Sequence, residues 1–321
     1  MKSNNHPVAL TVVSVAPIRL SSPGRKTDLE LRVSAPLNGN NLPVIIFAHG
    51  FGSNMDAYAP LVNYWAARGF AVIQPTFLDS RSYAESHHAD HGEAVQAFLN
   101  DPASKHIWRQ RITDLKAVLD QLEDIEESCP GLQGKLDKSR VAAAGHSFGA
   151  HTVAMFLGAR TVLPDGSPVE DFKDERIKAG ILLSAAGRGD DALSAFAKEH
   201  FPYLNLDYTY LTTPALVVAG DQDHSPLTVL GPDWFTDAYL ISPGADTLLS
   251  LFGGEHMLGG ISGHLVRETT DENPERVALV SEVTLAYLQK ILSPNDTLWK
   301  KLNDQLFGAG TQVGKINLKD S

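Results

Sequence analysis

Cysteine is all but missing from this chain. Cys129 is the single one, so no internal disulfide can staple the fold; it precedes Pro130 at the end of a predicted helix and reads as structural. Basic residues are also scarce, with 27 Lys and Arg against 38 Asp and Glu, a formal charge of −11. No block of five Lys or Arg occurs, and an acidic chain is repelled by phosphate backbones and anionic lipid. Nucleic acid is therefore not an expected partner. No apolar run approaches the eighteen residues of a membrane span. The opening Met1-Lys2-Ser3-Asn4-Asn5-His6-Pro7 lacks the apolar core of a signal peptide, so a cytoplasmic location is expected. Neither G-x-G-x-x-G nor G-x-x-x-x-G-K-[ST] occurs, and no nucleotide cofactor is implied. H-E-x-x-H is missing too, and no metal is expected.

What remains is a chain rich enough in apolar residues, 43% of its 321, to bury a sizeable α/β core. Ala9 to Val15 and Leu29 to Val33 read as strands joined by the turn Ser21-Ser22-Pro23-Gly24, an opening antiparallel hairpin. Val44 to Ala48 is a continuous apolar run, the mark of a parallel strand buried on both faces. Met55 to Arg68 reads as a helix stopped by Gly69, and Phe70 to Ile73 as the next strand. Ile112, Leu115, Val118, Leu119, Leu122 and Ile125 recur at helical spacing and predict a helix over 110–128. Further strands are expected at 140–144, 179–184, 215–219 and 248–252, and a closing helix at Val277 to Leu292. Strands alternating with helices predict a mostly parallel sheet of eight strands, flanked by helices, over residues 1–292. Residues 293–321 read as a polar tail. Two irregular segments, 78–108 and 187–213, leave the carboxyl ends of strands and are candidates for the walls or lid of a cleft.

The sequence Gly145-His146-Ser147-Phe148-Gly149 spells G-x-S-x-G between a strand and a helix. That context presents a serine hydroxyl at the carboxyl edge of the sheet. Serine is a weak nucleophile at neutral pH and needs a base, which in turn needs an orienting carboxylate. The strand 215–219 runs into Gly220-Asp221-Gln222-Asp223-His224, and the last strand into Gly253-Gly254-Glu255-His256-Met257. Acid and base thus follow successive strands and emerge at the edge that carries Ser147. Two aspartates compete for the acid. Asp223 is preferred, because it lies further past the strand, where a loop can reach the histidine; Asp221 could instead hold the turn. His256 is preferred over His264, deeper in a loop, and over His224, which is too close to the acid to face it. A tetrahedral intermediate needs two preorganised donors. The candidates are the backbone N–H of Phe148, at the helix start, and that of Phe51, in the loop His49-Gly50-Phe51-Gly52 after the third strand.

These residues together resemble the α/β-hydrolase superfamily over about residues 9 to 292. Within it, His49-Gly50-Phe51-Gly52-Ser53 and Gly145-His146-Ser147-Phe148-Gly149-Ala150 are similar to dienelactone-hydrolase-like and platelet-activating-factor-acetylhydrolase-like esterases. The resemblance implies Ser147 as nucleophile, His256 as base, Asp223 as acid, and Phe51 and Phe148 as oxyanion donors. It also implies a small-molecule or polymeric ester as substrate; an amide, thioester or C–C bond is the alternative, and a non-catalytic binding role a further one. Dienelactone hydrolases proper carry cysteine where this chain has Ser147, which favours ordinary carboxylic esters. Chlorophyllase-like and polyester-cleaving relatives share the same frame. Oligomeric state is open.

Other groupings read as ordinary. Ser86-His87-His88-Ala89-Asp90-His91 has the look of a metal cluster, but a polar loop near the cleft is the preferred reading. His146 reads as a packing residue, and Asp79 either borders the cleft or serves a turn. Phe77, Tyr83, Phe98, Phe201, Tyr203, Tyr208 and Tyr210 are candidate pocket walls.

Overall fold

Alternating apolar runs and amphipathic stretches become a β/α succession in the computed structural model, which describes residues 9–83, 91–163, 166–167, 170–265, 269–293, 298–300, 302 and 311–319. The strands are β1 (Val12–Leu20), β2 (Leu29–Pro36), β3 (Leu42–Ala48), β4 (Ala71–Pro75), β5 (Leu136–His146), β6 (Arg160–Thr161), β7 (Ile177–Leu183), β8 (Leu206–Asp207), β9 (Ala215–Gly220), β10 (Ala245–Leu251) and β11 (Gly314–Leu318). The α-helices are α1 (Ala59–Ala66), α2 (His91–Asn100), α3 (Ile107–Asp120), α4 (Leu122–Glu127), α5 (Phe148–Phe156), α6 (Ala195–His200), α7 (Asp237–Ile241) and α8 (Pro274–Leu292). One sheet runs in the order β1-β2-β4-β3-β5-β7-β9-β10-β11, and β6 pairs separately with β8. From β4 through β10 the neighbours are parallel; β1, β2 and β11 run antiparallel to theirs.

The sheet is covered on both faces, which is why its central strands read as unbroken apolar runs. Along β3, Val44, Ile46 and Ala48 join one core with Leu115 of α3 and Val153 of α5. Ile45 and Phe47 alternate to the other face and meet Leu61 and Trp65 of α1 and Val283 and Leu288 of α8. Among the described residues no helix is long and apolar enough to cross a membrane.

The eight expected strands are β1 to β5, β7, β9 and β10, and the α/β-hydrolase architecture is the one observed. A ninth strand comes from the tail. β11 alternates, with Ile316 buried and Lys315 exposed, and pairs with β10 from Thr247 to Leu251. The helix expected over 110–128 is two, α3 and α4. The break is at Gln121, with φ −115 and ψ 25, and its side-chain amide donates to the carbonyls of Ser21 (2.9 Å) and Ala117 (3.1 Å). The helix expected from Met55 begins only at Ala59. Tyr58 before it takes a left-handed φ of 64, and Pro60 in the first turn has a ring that fits there but no N–H to continue a helix upstream.

Candidate active site

Three strand ends build the site. β5 stops at His146 and α5 starts at Phe148, leaving Ser147 on the turn with φ 55 and ψ −119. A non-glycine residue in such a sparsely populated region costs about 1–3 kcal/mol. The turn is held by the Ser147 N–H, which donates to the Leu183 carbonyl at 2.9 Å. Its tightness explains both flanking glycines. A Cβ on Gly145 would lie 2.4 Å from the Gly149 oxygen, and one on Gly149 would lie 2.0 Å from the Ala48 oxygen. Neither position has room for any other residue.

Beyond β9, Asp223 is fully buried; beyond β10, His256 reaches back between the acid and the serine. His256 Nδ1 lies 3.1 Å from both carboxylate oxygens of Asp223, and Nε2 lies 2.9 Å from Ser147 Oγ. A carboxylate can only accept, so the proton sits on Nδ1 and the Nε2 lone pair faces the serine hydroxyl. The rival acid, Asp221, is exposed and accepts the Gly253 N–H at 2.7 Å, bracing the turn after β10. His224 lines the cavity beside the site without joining this chain of hydrogen bonds, and His264 is exposed on a loop away from it.

The loop after β3 is fixed by a residue that the sequence reading passed over. Arg111, fully buried on α3, pairs with Asp79 through Nε (2.8 Å) and Nη2 (2.7 Å), and its Nη1 donates to the His49 carbonyl at 2.8 Å. Asp79 in turn accepts the Gly52 N–H at 3.3 Å. The Arg111 guanidinium also lies over the rings of Phe77 (4.4 Å) and Phe148 (4.3 Å). Burial works to raise the Asp79 pKa, but Arg111 outweighs it and holds the carboxyl below its usual value. His49 accepts the Phe77 N–H at Nε2 (3.0 Å) and so donates from Nδ1 to the Gly50 carbonyl (2.7 Å). Burial, then the Arg111 charge, pulls its pKa down to about 3, so the ring is neutral. A signal for Arg111 does exist: Trp108, Arg111, Leu115, Val118 and Leu122 share the buried stripe, where a lone charge needs a partner.

Ser147, His256, Phe51 and Phe148 all line one cavity of about 420 Å³. Its walls are mainly apolar and rich in aromatic rings. Phe98 comes from α2, Phe196 from α6, and Phe201 and Tyr203 from the segment after it. Phe51 meets Phe98 edge-on at 5.0 Å, and Phe148 stacks near Tyr203 at 5.7 Å. Both irregular segments marked in the sequence, 78–108 and 187–213, thus contribute wall residues. Of the candidate rings, Phe77 and Tyr208 are core, and Tyr83 and Tyr210 are exposed outside the cavity. Trp234 and Phe235 complete the wall from a segment that the sequence reading did not single out. No Lys or Arg lines the cavity among the described residues; Glu255, which accepts the Thr270 hydroxyl, is its one carboxylate. His87, His88 and Asp90 lie outside the described residues, as does the side chain of His91. Among the described residues no group of three or more His, Cys, Asp or Glu could hold a metal ion.

Comparison with known proteins agrees with this frame. The chlorophyllase family model matches residues 7–163. A platelet-activating factor acetylhydrolase from Cavia porcellus is 28% identical over 200 residues, 54% of this chain and 42% of the relative. Those of Bos taurus and Canis lupus familiaris are each 24% identical, over 46% and 47% of this chain and 36% and 37% of their own. The chain spans less than half the length of the curated relatives it matches.

Proposed function

The chain is an α/β-hydrolase by fold, and from that premise we propose that it is a serine esterase acting through an acyl-enzyme. One observation carries the reading: His256 Nε2 stands 2.9 Å from Ser147 Oγ, with the buried Asp223 carboxylate behind Nδ1. The similarity to acetylhydrolases supports hydrolysis of an acyl bond. In the proposed cycle, Ser147 Oγ attacks the ester carbonyl as His256 Nε2 takes its proton. Asp223 keeps the ring in the one tautomer that can do so and stabilises the imidazolium. The oxygen that becomes negative is met by the backbone N–H groups of Phe51 and Phe148, the latter at the positive end of α5. His256 then gives the proton to the leaving alcohol, and water repeats the sequence on the acyl-enzyme.

The cavity supports a finer reading. Apolar walls rich in aromatic rings, with no Lys or Arg among the described lining residues, favour an uncharged, apolar acyl or alcohol group, and a volume of about 420 Å³ accommodates a bulky one. An anionic substrate would lose its hydration and find no cation among the described lining residues. The two wall segments, 78–108 and 187–213, are proposed to set this selectivity.

Hydrolysis of p-nitrophenyl esters from acetate to long acyl chains, for wild type and Ser147→Ala together, tests the reading. Turnover is expected in the wild type, strongest for a bulky neutral acyl group. It should fall by about 10³-fold or more in the variant, with the melting temperature preserved. A folded variant that keeps most of its turnover overturns the assignment.

A further inference from the structure

The residue just before the nucleophile joins two parts of the site that its chemistry does not need to join. His146 ends β5, and its ring is buried on the side of the sheet that carries Tyr58. Its Nε2 lies 2.7 Å from the His256 carbonyl oxygen, and its Nδ1 lies 2.9 Å from the Tyr58 hydroxyl. Tyr58 Oη also receives the Gly50 N–H at 3.1 Å. The direction of every bond is forced. A carbonyl only accepts, so His146 carries its proton on Nε2 and donates it to His256. Nδ1 must then accept from Tyr58 O–H, whose oxygen accepts from Gly50 N–H. The result is one oriented chain: Gly50 N–H to Tyr58, Tyr58 O–H to His146, His146 N–H to the backbone of His256.

The chain does not reverse near neutral pH. Burial, then the neighbouring His256, pulls the His146 pKa down to about 3, and burial pushes that of Tyr58 up to about 12. Packing reinforces it, with ring centroids 5.1 Å apart for His146 and His256 and 5.6 Å apart for Tyr58 and His146. One end of the chain is the loop carrying Phe51; the other is the main chain of the proposed base.

We propose that His146 and Tyr58 are positioning residues that lock the backbone of His256 to the Gly50 loop, so that base and oxyanion donors keep one mutual geometry. This rests on the esterase reading above. Neither side chain is asked to touch the substrate. Their effect is on the alignment of His256 Nε2 with Ser147 Oγ, where a misplacement of about 1 Å costs on the order of 100-fold in rate.

Two amides divide the ring between them. Gln at 146 can place an N–H where Nε2 stood and keep the bond to the His256 carbonyl. Asn can place an acceptor where Nδ1 stood and keep only the bond to Tyr58. His146→Asn, which loses the bond to the base, should lower kcat about 30- to 100-fold with KM within about twofold, and His146→Gln, which keeps that bond but breaks the one to Tyr58, should lower it about 3- to 10-fold. A purely structural role predicts a common loss of melting temperature and equal kcat in the two variants, and that result overturns the proposal. Should His146→Asn not fold, Tyr58→Phe keeps the shape and removes the hydroxyl; about a tenfold loss in kcat at constant KM is expected, and an unchanged kcat is the contrary result. Labelling of the wild type by a fluorophosphonate keeps the two readings apart. An unlabelled wild type overturns the esterase assignment and this inference with it, whereas a labelled wild type with unimpaired variants overturns this inference alone.

Discussion

Two aspartates two positions apart serve different ends. Asp223 is buried with both oxygens 3.1 Å from His256 Nδ1, while Asp221 is exposed and braces Gly253. Neutralising each separates a chemical from a mechanical contribution. Asp223→Asn is expected to lower kcat by about 10⁴-fold, the scale for an orienting carboxylate replaced by an amide that favours the wrong tautomer. Asp221→Asn should stay within about tenfold, since the amide oxygen still accepts from Gly253. Steady-state kinetics on one ester decide this, and equal losses would contradict the division. The convergence of Ser147, Asp223 and His256 was legible in the sequence because each lies in the turn segment after a strand-like run, and the parallel order sends those ends to one edge. The preference for Asp223 over Asp221 there rests on how far a loop turns inward, which the sequence alone does not fix. His146 read as packing, which its burial bears out. Its hydrogen bonds to Tyr58 and His256 were illegible, because they join residues 88 and 110 positions distant.

A single helix, α3, governs the loop after β3 through one charge. Arg111 and Asp79 are both fully buried, so removing either leaves an uncompensated ion in the core. Arg111→Met is expected to cost about 3–5 kcal/mol in urea unfolding, and Arg111→Met with Asp79→Asn to recover part of that loss. If the double variant is as unstable as the sum of the singles, the pairing contributes little. The apolar stripe of α3 was plain in the sequence, but its end was not. Periodicity continues through Leu122 and Ile125, and the break depends on Gln121 reaching Ser21, a hundred positions earlier. β11 was missed for a related reason. Gly-Lys-Ile-Asn-Leu is short and half polar, as an edge strand facing solvent on one side can be, and only the open flank of β10 selects it.

For the molecule as a whole, three neutral imidazoles deep in the fold couple stability to pH. Burial first of all holds His49 and His146 near 3 and His151 near 4, against about 6.5 in the unfolded chain. Their folded pKa values are depressed, so the unfolded state binds more protons at every pH between those limits. Stability is therefore complete above about pH 6.5 and declines as pH falls toward 4 and then 3, with each ring contributing up to about 1.4 kcal/mol per pH unit. The urea midpoint should drop steadily between pH 7 and pH 5; a flat profile across that window would contradict this. The cavity wall carries a different consequence at the same scale. Val95, Phe98, Phe196 and Phe201 sit on segments that bear none of Ser147, Asp223 or His256. On the proposed reading, part of the selectivity thus sits on pieces of chain apart from the reacting groups, and that part of the wall can be recut, by evolution or by design, while the strand ends beneath it stay as they are.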